Sequence, residues 1–562
     1  MEDDLINVLY MMRRILFASL AFFIAIFNST AQKIKKKDKV VIANLQREIS
    51  FLASDKLEGR RAGTEGEKMA SDFIISEFQA IGLEPHGDSS HWLQQFDIYD
   101  GRQVASEHFV VNEKELDPDK DYFPLAFSAS KKVEGSPAIA LQESGVPWFI
   151  DLKDMLESNQ NNPHFSLPDA LHAKVKDCEK KGATAVIFYN SSKLQDNIAF
   201  NAKDRSAAST IPVIYLTQEA KRKFLKDESA SVDLKVDVNI AEKWRKGHNV
   251  IGYLNNGAAT TVVLGAHYDH LGHGEDGNSL YTGSDKQIHN GADDNASGTA
   301  AMIELARWLR QSKSKSNNYL FIAFSGEELG LFGSKYFTEH PTVDLSKINY
   351  MINMDMVGRL NDSTHALTIG GFGTSPVWGG LLDADPDNKY FKIKYDSSGV
   401  GPSDYTSFYR KDIPVLFFFT GTHGDYHKPT DDADKINYTG ELYVVKYIED
   451  LLENLDGKGK LAFTKTRELQ TRDMPHFSVT LGIMPDYAFT GDGVKIDGIS
   501  EGRPAQKAGL KVGDVIVKLG DYSVSSLDNY MEALSKFKKG DKTTVGYKRG
   551  NDHAEAEVQF NQ

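Results

Sequence analysis

Two adjacent glutamates, Glu327 and Glu328, closely follow the apolar run YLFIAF, which is typical of a buried strand. Neighbouring carboxylates repel each other, and burying either one at the end of a strand is unfavourable unless a cation lies nearby. Four further segments contain residue types that bind metal ions. They are GAHYDH with His267 and Asp269, NGADDNASG with Asp293 and Asp294, NMDMVG with Asp355, and GDYHKPTDD with His427.

A mixed set of imidazoles and carboxylates suits zinc, and manganese or cobalt would also fit. A single catalytic zinc takes about three protein ligands, so five ligand positions predict two metal ions, held ~3.5–4 Å apart by a bridging carboxylate. Such a pair lowers the pKa of water towards neutrality. One glutamate could then bind a metal while its neighbour accepts a proton from water. The adjacent acids are therefore explained if the site is hydrolytic.

Local chemistry leaves some assignments open. It does not distinguish Asp293 from Asp294 as a ligand, and Asp293 could instead cap the helix that follows. Other histidines near these motifs are expected at the surface or beside the substrate: His270, His273, His289 and His423.

The elements that must position these residues show an α/β pattern from residue 247 onwards. NVIGYL, TTVVLGAH, YLFIAFS, INYMINMD and IPVLFFFTG are typical of buried strands, and SGTAAMIELARWLRQ is typical of a helix. We predict a mostly parallel, mixed sheet with helices on both faces. Because such sheets bind ligands at the carboxyl ends of their strands, the acids and histidines should meet there.

Taken in chain order, the motifs His-x-Asp, Asp-Asp-Asn-x-Ser-Gly, Glu-Glu, Asp and Tyr-His resemble those of the M28 zinc peptidases, a family of aminopeptidases and related exopeptidases. The resemblance covers about residues 40–103 and 245–460 and includes EGRRAGTEGE and HNVIGYL. It implies two zinc ions with five protein ligands. His267 and Asp355 would hold one ion, Glu328 and His427 the other, and Asp294 would bridge them.

The same resemblance implies roles for residues beside the ligands. Glu327 would be the general base, and Asp269 would orient His267. Tyr426 is a weaker candidate for stabilising the developing oxyanion. Asp404, in GPSDYTSF, is expected to face the substrate.

The implied activity is that of a co-catalytic dizinc aminopeptidase acting on peptides with free N-termini. A carboxypeptidase or dipeptidase of the same superfamily stays open, because the ligand sets overlap. Glutaminyl cyclases resemble this core but use one zinc, and the presence of both His267 and Asp355 argues against that alternative. A non-enzymatic scaffold is least favoured, because every ligand and the base are retained.

Two flanking units resemble known domains. KKGATAVIFYN and IPVIYLT resemble a protease-associated domain inserted into the core, where Cys178 is expected to pack. VTLGIMPDY and GVKIDGISEGRPAQKAGLKVGDVIVKLGDYSV resemble a PDZ domain, which implies a C-terminal peptide as a ligand. The predicted boundaries are a signal peptide at 1–32, core at 33–103, insert at 104–244, core at 245–462, linker at 463–475 and PDZ domain at 476–562.

The N-terminus predicts export. In MMRRILFASLAFFIAIFNSTAQ, two arginines precede an apolar stretch and then small residues, which is the order of a signal peptide. Acidic residues precede the arginines, so we expect the natural start at Met11 or Met12. The apolar stretch is shorter than the ~20 residues of a membrane span. We therefore expect a periplasmic or secreted protein of the bacterial envelope, without an integral span after signal cleavage.

Composition narrows the possible partners. At 562 residues the chain predicts several domains. Its formal net charge of −14 makes nucleic acid an unsuitable partner. One cysteine, Cys178, excludes an intramolecular disulfide.

Overall fold

The computed structural model describes residues 35–160, 165, 167–202, 204, 206–227, 229–283, 285–382, 390–466, 479–485, 492–499, 503–525, 527–550 and 552–560. The predicted signal peptide at 1–32 lies outside these residues, as does most of the predicted linker.

The described strands are, in chain order, β1 (Glu84–Pro85), β2 (Leu93–Val111), β3 (Lys114–Glu115), β4 (Tyr122–Pro124), β5 (Lys131–Gly135), β6 (Trp148–Asp151), β7 (Val186–Tyr189), β8 (Val213–Leu216), β9 (Leu234–Leu254), β10 (Thr261–His267), β11 (Asn318–Phe324), β12 (Ile348–Met354), β13 (Ala366–Gly370), β14 (Lys392–Tyr395), β15 (Val415–Phe419), β16 (Ile483–Pro485), β17 (Val494–Ile499), β18 (Val515–Leu519), β19 (Tyr522–Ser523), β20 (Lys542–Arg549) and β21 (Asp552–Gln559).

The described α-helices are, in chain order, α1 (Lys36–Leu52), α2 (Glu65–Ile81), α3 (Lys153–Asn159), α4 (Leu167–Lys180), α5 (Gln218–Phe224), α6 (Gly298–Gln311), α7 (Phe332–Glu339), α8 (Val377–Leu382), α9 (Tyr405–Tyr409), α10 (Tyr438–Leu455), α11 (Pro504–Lys507) and α12 (Leu527–Leu534).

The largest sheet has the strand order β14-β13-β15-β12-β10-β11-β9-β2-β3, and β1 and β5 also pair with β9. At its centre β11, β10, β12 and β15 run parallel, whereas β9 and β2 add an antiparallel side. Every residue of β10, β11 and β12 is buried. Continuous burial is expected of parallel strands whose two faces are both covered.

Helices cover both faces of this sheet. On one face α1, α2, α6 and α10 pack together over a core that includes Val262 and Leu264. On the other face α7 and α9 pack over a core that includes Val263. Successive residues of β10 thus point to opposite cores, as the period of a strand requires. The predicted α/β fold, with a mixed sheet between helical layers, is confirmed.

A long antiparallel ribbon connects the large sheet to a second sheet. Strands β2 and β9 pair from Leu93 opposite Val250 to Val111 opposite Leu234. The far end of this ribbon packs on the second sheet, whose strand order is β4-β8-β7-β6. Cys178 is buried in the other core of this middle unit, as expected.

A third sheet forms the C-terminal unit. Its strand order is β16-β17-β18-β20-β21, and β19 pairs with β18. The unit has its own core, which includes Ile496, Ile516 and Val545. Among the described helices of the whole chain, none is both long and apolar enough to cross a bilayer.

A charge cluster in which Glu48 and Glu304 are buried joins α1, α2 and α6. Arg307 of α6 lies 2.6 Å from Glu48 of α1 and also contacts Glu77 and Glu304. Arg47 contacts Glu48 at 2.9 Å and Glu77 at 2.6 Å. Burial raises the pKa of Glu48 to about 8, although Arg307 opposes the shift. The positive charges of the two arginines therefore offset the negative charges of glutamates that lie close together between three helices.

We expect Arg307→Met to lower the midpoint of thermal unfolding of the metal-free protein by about 5–10 °C, which corresponds to about 3 kcal/mol. The pKa of Glu48 in the folded protein is about 8, and loss of the cation raises it further, so the difference in stability from the unmodified protein should grow as the pH rises above about 8, where Glu48 ionises in the unmodified protein alone. Arg310→Met, an exposed position of the same helix, is the matched control and should change little. Equal losses in both variants would contradict the prediction.

Candidate metal centre

Parallel pairing brings the predicted ligands to one end of the central strands. β10 ends at His267, level in register with the last residue of β11. Two residues earlier β10 pairs with Asn353 of β12, so Asp355 is level with His267 as well. Glu327 and Glu328 follow the end of β11. The carboxyl ends of three neighbouring strands thus supply the site.

One group of ligand atoms surrounds His267. Its Nε2 atom lies 3.3 Å from Oδ1 of Asp294 and 3.4 Å from Oδ1 of Asp355. All three residues are buried. Zinc ligands at ~2.0–2.1 Å in a tetrahedral arrangement lie about 3.3 Å from each other. These three side chains are therefore spaced as ligands of one ion.

A second group surrounds His427. Its Nε2 atom lies 3.3 Å from Oδ2 of Asp294 and 3.2 Å from Oε2 of Glu328. Asp294 thus offers one carboxylate oxygen to each group. This is the arrangement that a bridging carboxylate requires between two ions.

His270 forms a further group with Asp294 and Glu328. It is only 2% exposed, and His289 only 1%, so neither lies at the surface, which was one of the two positions expected for them. His270 directly follows Asp269 at the end of β10, and this closeness to the motif was the one available signal. His273 and His423 are half-buried and lie near acids, Glu58 and Asp293 respectively.

Backbone carbonyl groups orient both imidazoles that face Asp294. Nδ1 of His267 lies 3.1 Å from the carbonyl oxygen of Asp269, whereas the Asp269 carboxylate is 3.7 Å away. Nδ1 of His427 lies 2.9 Å from the carbonyl oxygen of Asn278. Because Nδ1 donates in each case, the lone pair of Nε2 is free to bind metal.

Asp293 and Asp294 have different partners. Oδ1 of Asp293 accepts hydrogen bonds from the backbone of Gly358 at 2.7 Å and the hydroxyl of Ser297 at 3.0 Å. Its Oδ2 faces His423 at 3.2 Å. Asp293 therefore ties neighbouring loops together, and Asp294 alone of the two belongs to the ligand groups.

Asp431 holds the turn that presents Asp294. Its Oδ2 accepts the backbone N–H groups of Asp293 at 3.0 Å and Asp294 at 3.1 Å, and its carbonyl oxygen accepts that of Ala292 at 3.0 Å. Asp431 was not among the predicted site residues, although it stands only four positions after His427.

The remaining predicted residues lie around these groups. Glu327 is partly exposed, and its backbone N–H donates to Oδ1 of Asp269 at 3.2 Å. The ring of Tyr426 stacks on His427 with a centroid distance of 3.9 Å. Asp404, which was expected to face the substrate, is fully buried, and its burial raises its pKa to about 7.

The carboxyl groups of this site differ strongly in pKa. Burial raises the pKa of Glu327 well above its usual value, and the neighbouring Asp355 carboxylate adds to the shift. Against the effect of burial, His267 and His427 hold the pKa of Asp294 well below its usual value. Buried carboxylates need a compensating charge, and a divalent cation between imidazole and carboxylate donors would supply it. The residues present thus fit zinc or a similar ion.

The chain is similar in sequence to known proteins. Residues 249–450 match the model of peptidase family M28, and residues 466–560 match that of the PDZ domain. Aminopeptidase YwaD of Bacillus subtilis is 26% identical over 425 residues, which cover 71% of this chain and 84% of the relative. The probable leucine aminopeptidase 2 of Aspergillus oryzae is 26% identical over 389 residues, which cover 64% and 73%.

Among solved structures, an aminopeptidase from Aneurinibacillus sp. strain AM-1 is similar at 21% identity, with 75% of this chain and 95% of that chain covered and a TM-score of 0.41.

Proposed function

We propose that this protein is an exported dizinc aminopeptidase, which removes N-terminal residues from peptides, because residues 249–450 match the model of peptidase family M28. The principal support is that two ligand groups share the carboxylate of Asp294, one through each oxygen. Relatives that are aminopeptidases, in Bacillus subtilis and Aspergillus oryzae, favour cleavage from the N-terminus.

In this proposal His267 and Asp355 would hold one ion, Glu328 and His427 would hold the other, and Asp294 would bridge them. When bound, the zinc pair would polarise the scissile carbonyl and lower the pKa of water. The carboxylate of Glu327 accepts a proton as water attacks the carbonyl carbon, and returns it to the leaving amine as the C–N bond breaks.

Neighbouring residues position these groups. The carboxylate of Asp269 fixes the backbone of Glu327, and its carbonyl oxygen fixes the tautomer of His267. Tyr426, stacked on His427, is proposed to donate its hydroxyl to the developing oxyanion. Manganese or cobalt could replace zinc with the same ligands.

The proposal also covers the location of the protein and the roles of the segments outside residues 249–450. The signal-like segment at 1–32 favours a periplasmic or secreted location. The middle unit at 104–244 is proposed as a protease-associated insert, and the C-terminal unit is proposed to bind the C-terminus of a substrate or partner peptide.

The direct test uses the zinc-loaded mature chain and a peptide library in which half the peptides are N-acetylated, with products followed by mass spectrometry. Stepwise loss of N-terminal residues from free peptides alone is the expected result. Trimming from the other end, or cleavage of acetylated peptides, would instead indicate a carboxypeptidase or another branch of the superfamily. Cyclisation of N-terminal glutamine by a protein that binds one zinc ion would indicate a cyclase. The absence of any reaction would favour a binding scaffold.

A further inference from the structure

Two histidines, the buried His270 and the half-buried His427, approach Glu328 from different parts of the chain. Nδ1 of His270 lies 2.8 Å from Oε1, and Nε2 of His427 lies 3.2 Å from Oε2. Each oxygen of this carboxylate therefore faces its own imidazole. Residue type alone would allow either histidine to bind a metal ion beside Glu328.

The distances distinguish the two histidines. Ligand atoms of one tetrahedral zinc lie about 3.3 Å apart, which matches His427 against both Glu328 and Asp294. His270 is 2.8 Å from Glu328, the length of a charge-assisted hydrogen bond, and 3.9 Å from Asp294. The three residues are close enough to hold an ion, but one distance is shorter and the other longer than the spacing of tetrahedral ligands, so His427 fits that spacing better than His270 does.

We propose that His270 is a positioning residue, which donates its Nδ1 proton to Oε1 of Glu328 and leaves Oε2 as the oxygen that binds metal. The inference rests on the proposed dizinc function. With Oε1 engaged, Glu328 binds through one oxygen, so a coordination position stays open for water or substrate, as a catalytic site needs. A partner behind a ligand also sets metal affinity.

The proton is placed on Nδ1 by the surroundings of the ring. Nε2 of His270 is buried and has no hydrogen-bond partner among the described residues. A proton on that atom would be buried without an acceptor, which is costly, whereas a proton on Nδ1 meets a carboxylate oxygen. A proton on Nδ1 is therefore the arrangement that fits.

Arg60 fixes the backbone from which His270 projects. It is fully buried, and its carbonyl oxygen accepts the backbone N–H of His270 at 3.2 Å. Its guanidinium donates to the carbonyl oxygens of Tyr268 at 2.8 Å and Gly291 at 2.9 Å. The same side chain thus joins the segment that bears His270 to the turn that precedes Asp294, so the imidazole is held before any metal binds.

The test measures the stepwise affinities of the full mature chain for Zn²⁺ by competition with a chelator. We expect His270→Ala to weaken the second equivalent about 10–100-fold and to leave the first unchanged. His270→Asn should recover most of the affinity, because its amide nitrogen can donate from nearly the position of Nδ1. His273→Ala is the matched control, since His273 makes an equal contact of 2.8 Å with Glu58, outside the site.

Each outcome is informative. Fewer than two equivalents in the unmodified chain would overturn the dizinc proposal itself, and this inference with it. Two equivalents there, with an unchanged second affinity in His270→Ala, would overturn the inference alone. Loss of a nitrogen ligand in the X-ray absorption spectrum of His270→Ala would show that His270 binds metal directly. If His270→Asn and His270→Ala lose affinity equally, or both lower the unfolding midpoint of the apo-protein, the role is structural and the inference fails.

Discussion

Replacing Glu327 with glutamine is expected to lower kcat for peptide hydrolysis about 10²–10⁴-fold while both metal equivalents stay bound. Glutamine keeps the size of the side chain but cannot accept the proton of the attacking water. The backbone should remain in place, because Gly330 and Leu331 donate to the carbonyl oxygen of Glu327 at 2.8 and 2.9 Å and Asp269 accepts its N–H. Steady-state kinetics on an aminoacyl anilide and elemental analysis of the same sample measure the two effects.

The adjacent acid supplies a matched control. Glu328→Gln has the same chemistry one residue away, but it removes an oxygen that lies 3.2 Å from Nε2 of His427. It should lose metal and activity together, whereas Glu327→Gln should lose activity alone. Near-normal turnover in Glu327→Gln, or loss of metal from it, would refute the role of general base. The two variants thereby test why the chain places two glutamates side by side.

The central sheet could be predicted because the burial of each strand leaves a signal in that strand's own sequence. The run YLFIAF is apolar at every position and INYMINMD is largely apolar, as expected of strands covered on both faces. Alternation with helical patterns then favours parallel pairing and places His267 and Asp355 at the same end of the sheet. Residue types at strand ends were therefore sufficient to propose a metal centre.

Residues that act through loops could not be predicted in the same way. Asp431 and His270 reach the site through contacts between segments distant in the chain, and neither belongs to a periodic pattern. The choice between Asp293 and Asp294 likewise depends on the turn, because Gly358 and Ser297 engage one carboxylate and leave the other to face His267 and His427. The residue types next to Asp293 and Asp294 in the sequence contain no information on these distant hydrogen-bond partners.

The ribbon of β2 and β9 shows a similar limit to the prediction of domain boundaries from the sequence. Both strands continue across residues 104 and 244, the predicted boundaries of the insert. Alternating burial persists along much of each strand, because one face of the ribbon packs first on α7 and later on the second sheet. A change of packing partner within one strand leaves no turn signal in the sequence.

Removing the shared carboxylate should have the other large effect. We expect Asp294→Ala to reduce bound zinc from two equivalents to fewer than one and to abolish hydrolysis. Without Asp294, each group retains only two protein ligands, which is below the roughly three that a catalytic zinc takes. Elemental analysis after gel filtration, with the chain first loaded with excess zinc, measures the loss.

Asp293→Asn is the control that separates charge from coordination. It removes an equally buried negative charge from the adjacent residue, but one that contacts Gly358, Ser297 and His423 in place of the ligand groups. This variant should lower the unfolding midpoint and retain both equivalents. If Asp294→Ala keeps two full equivalents, the carboxylate does not bridge. If both variants lose metal equally, the turn as a whole, and not one shared ligand, maintains the centre.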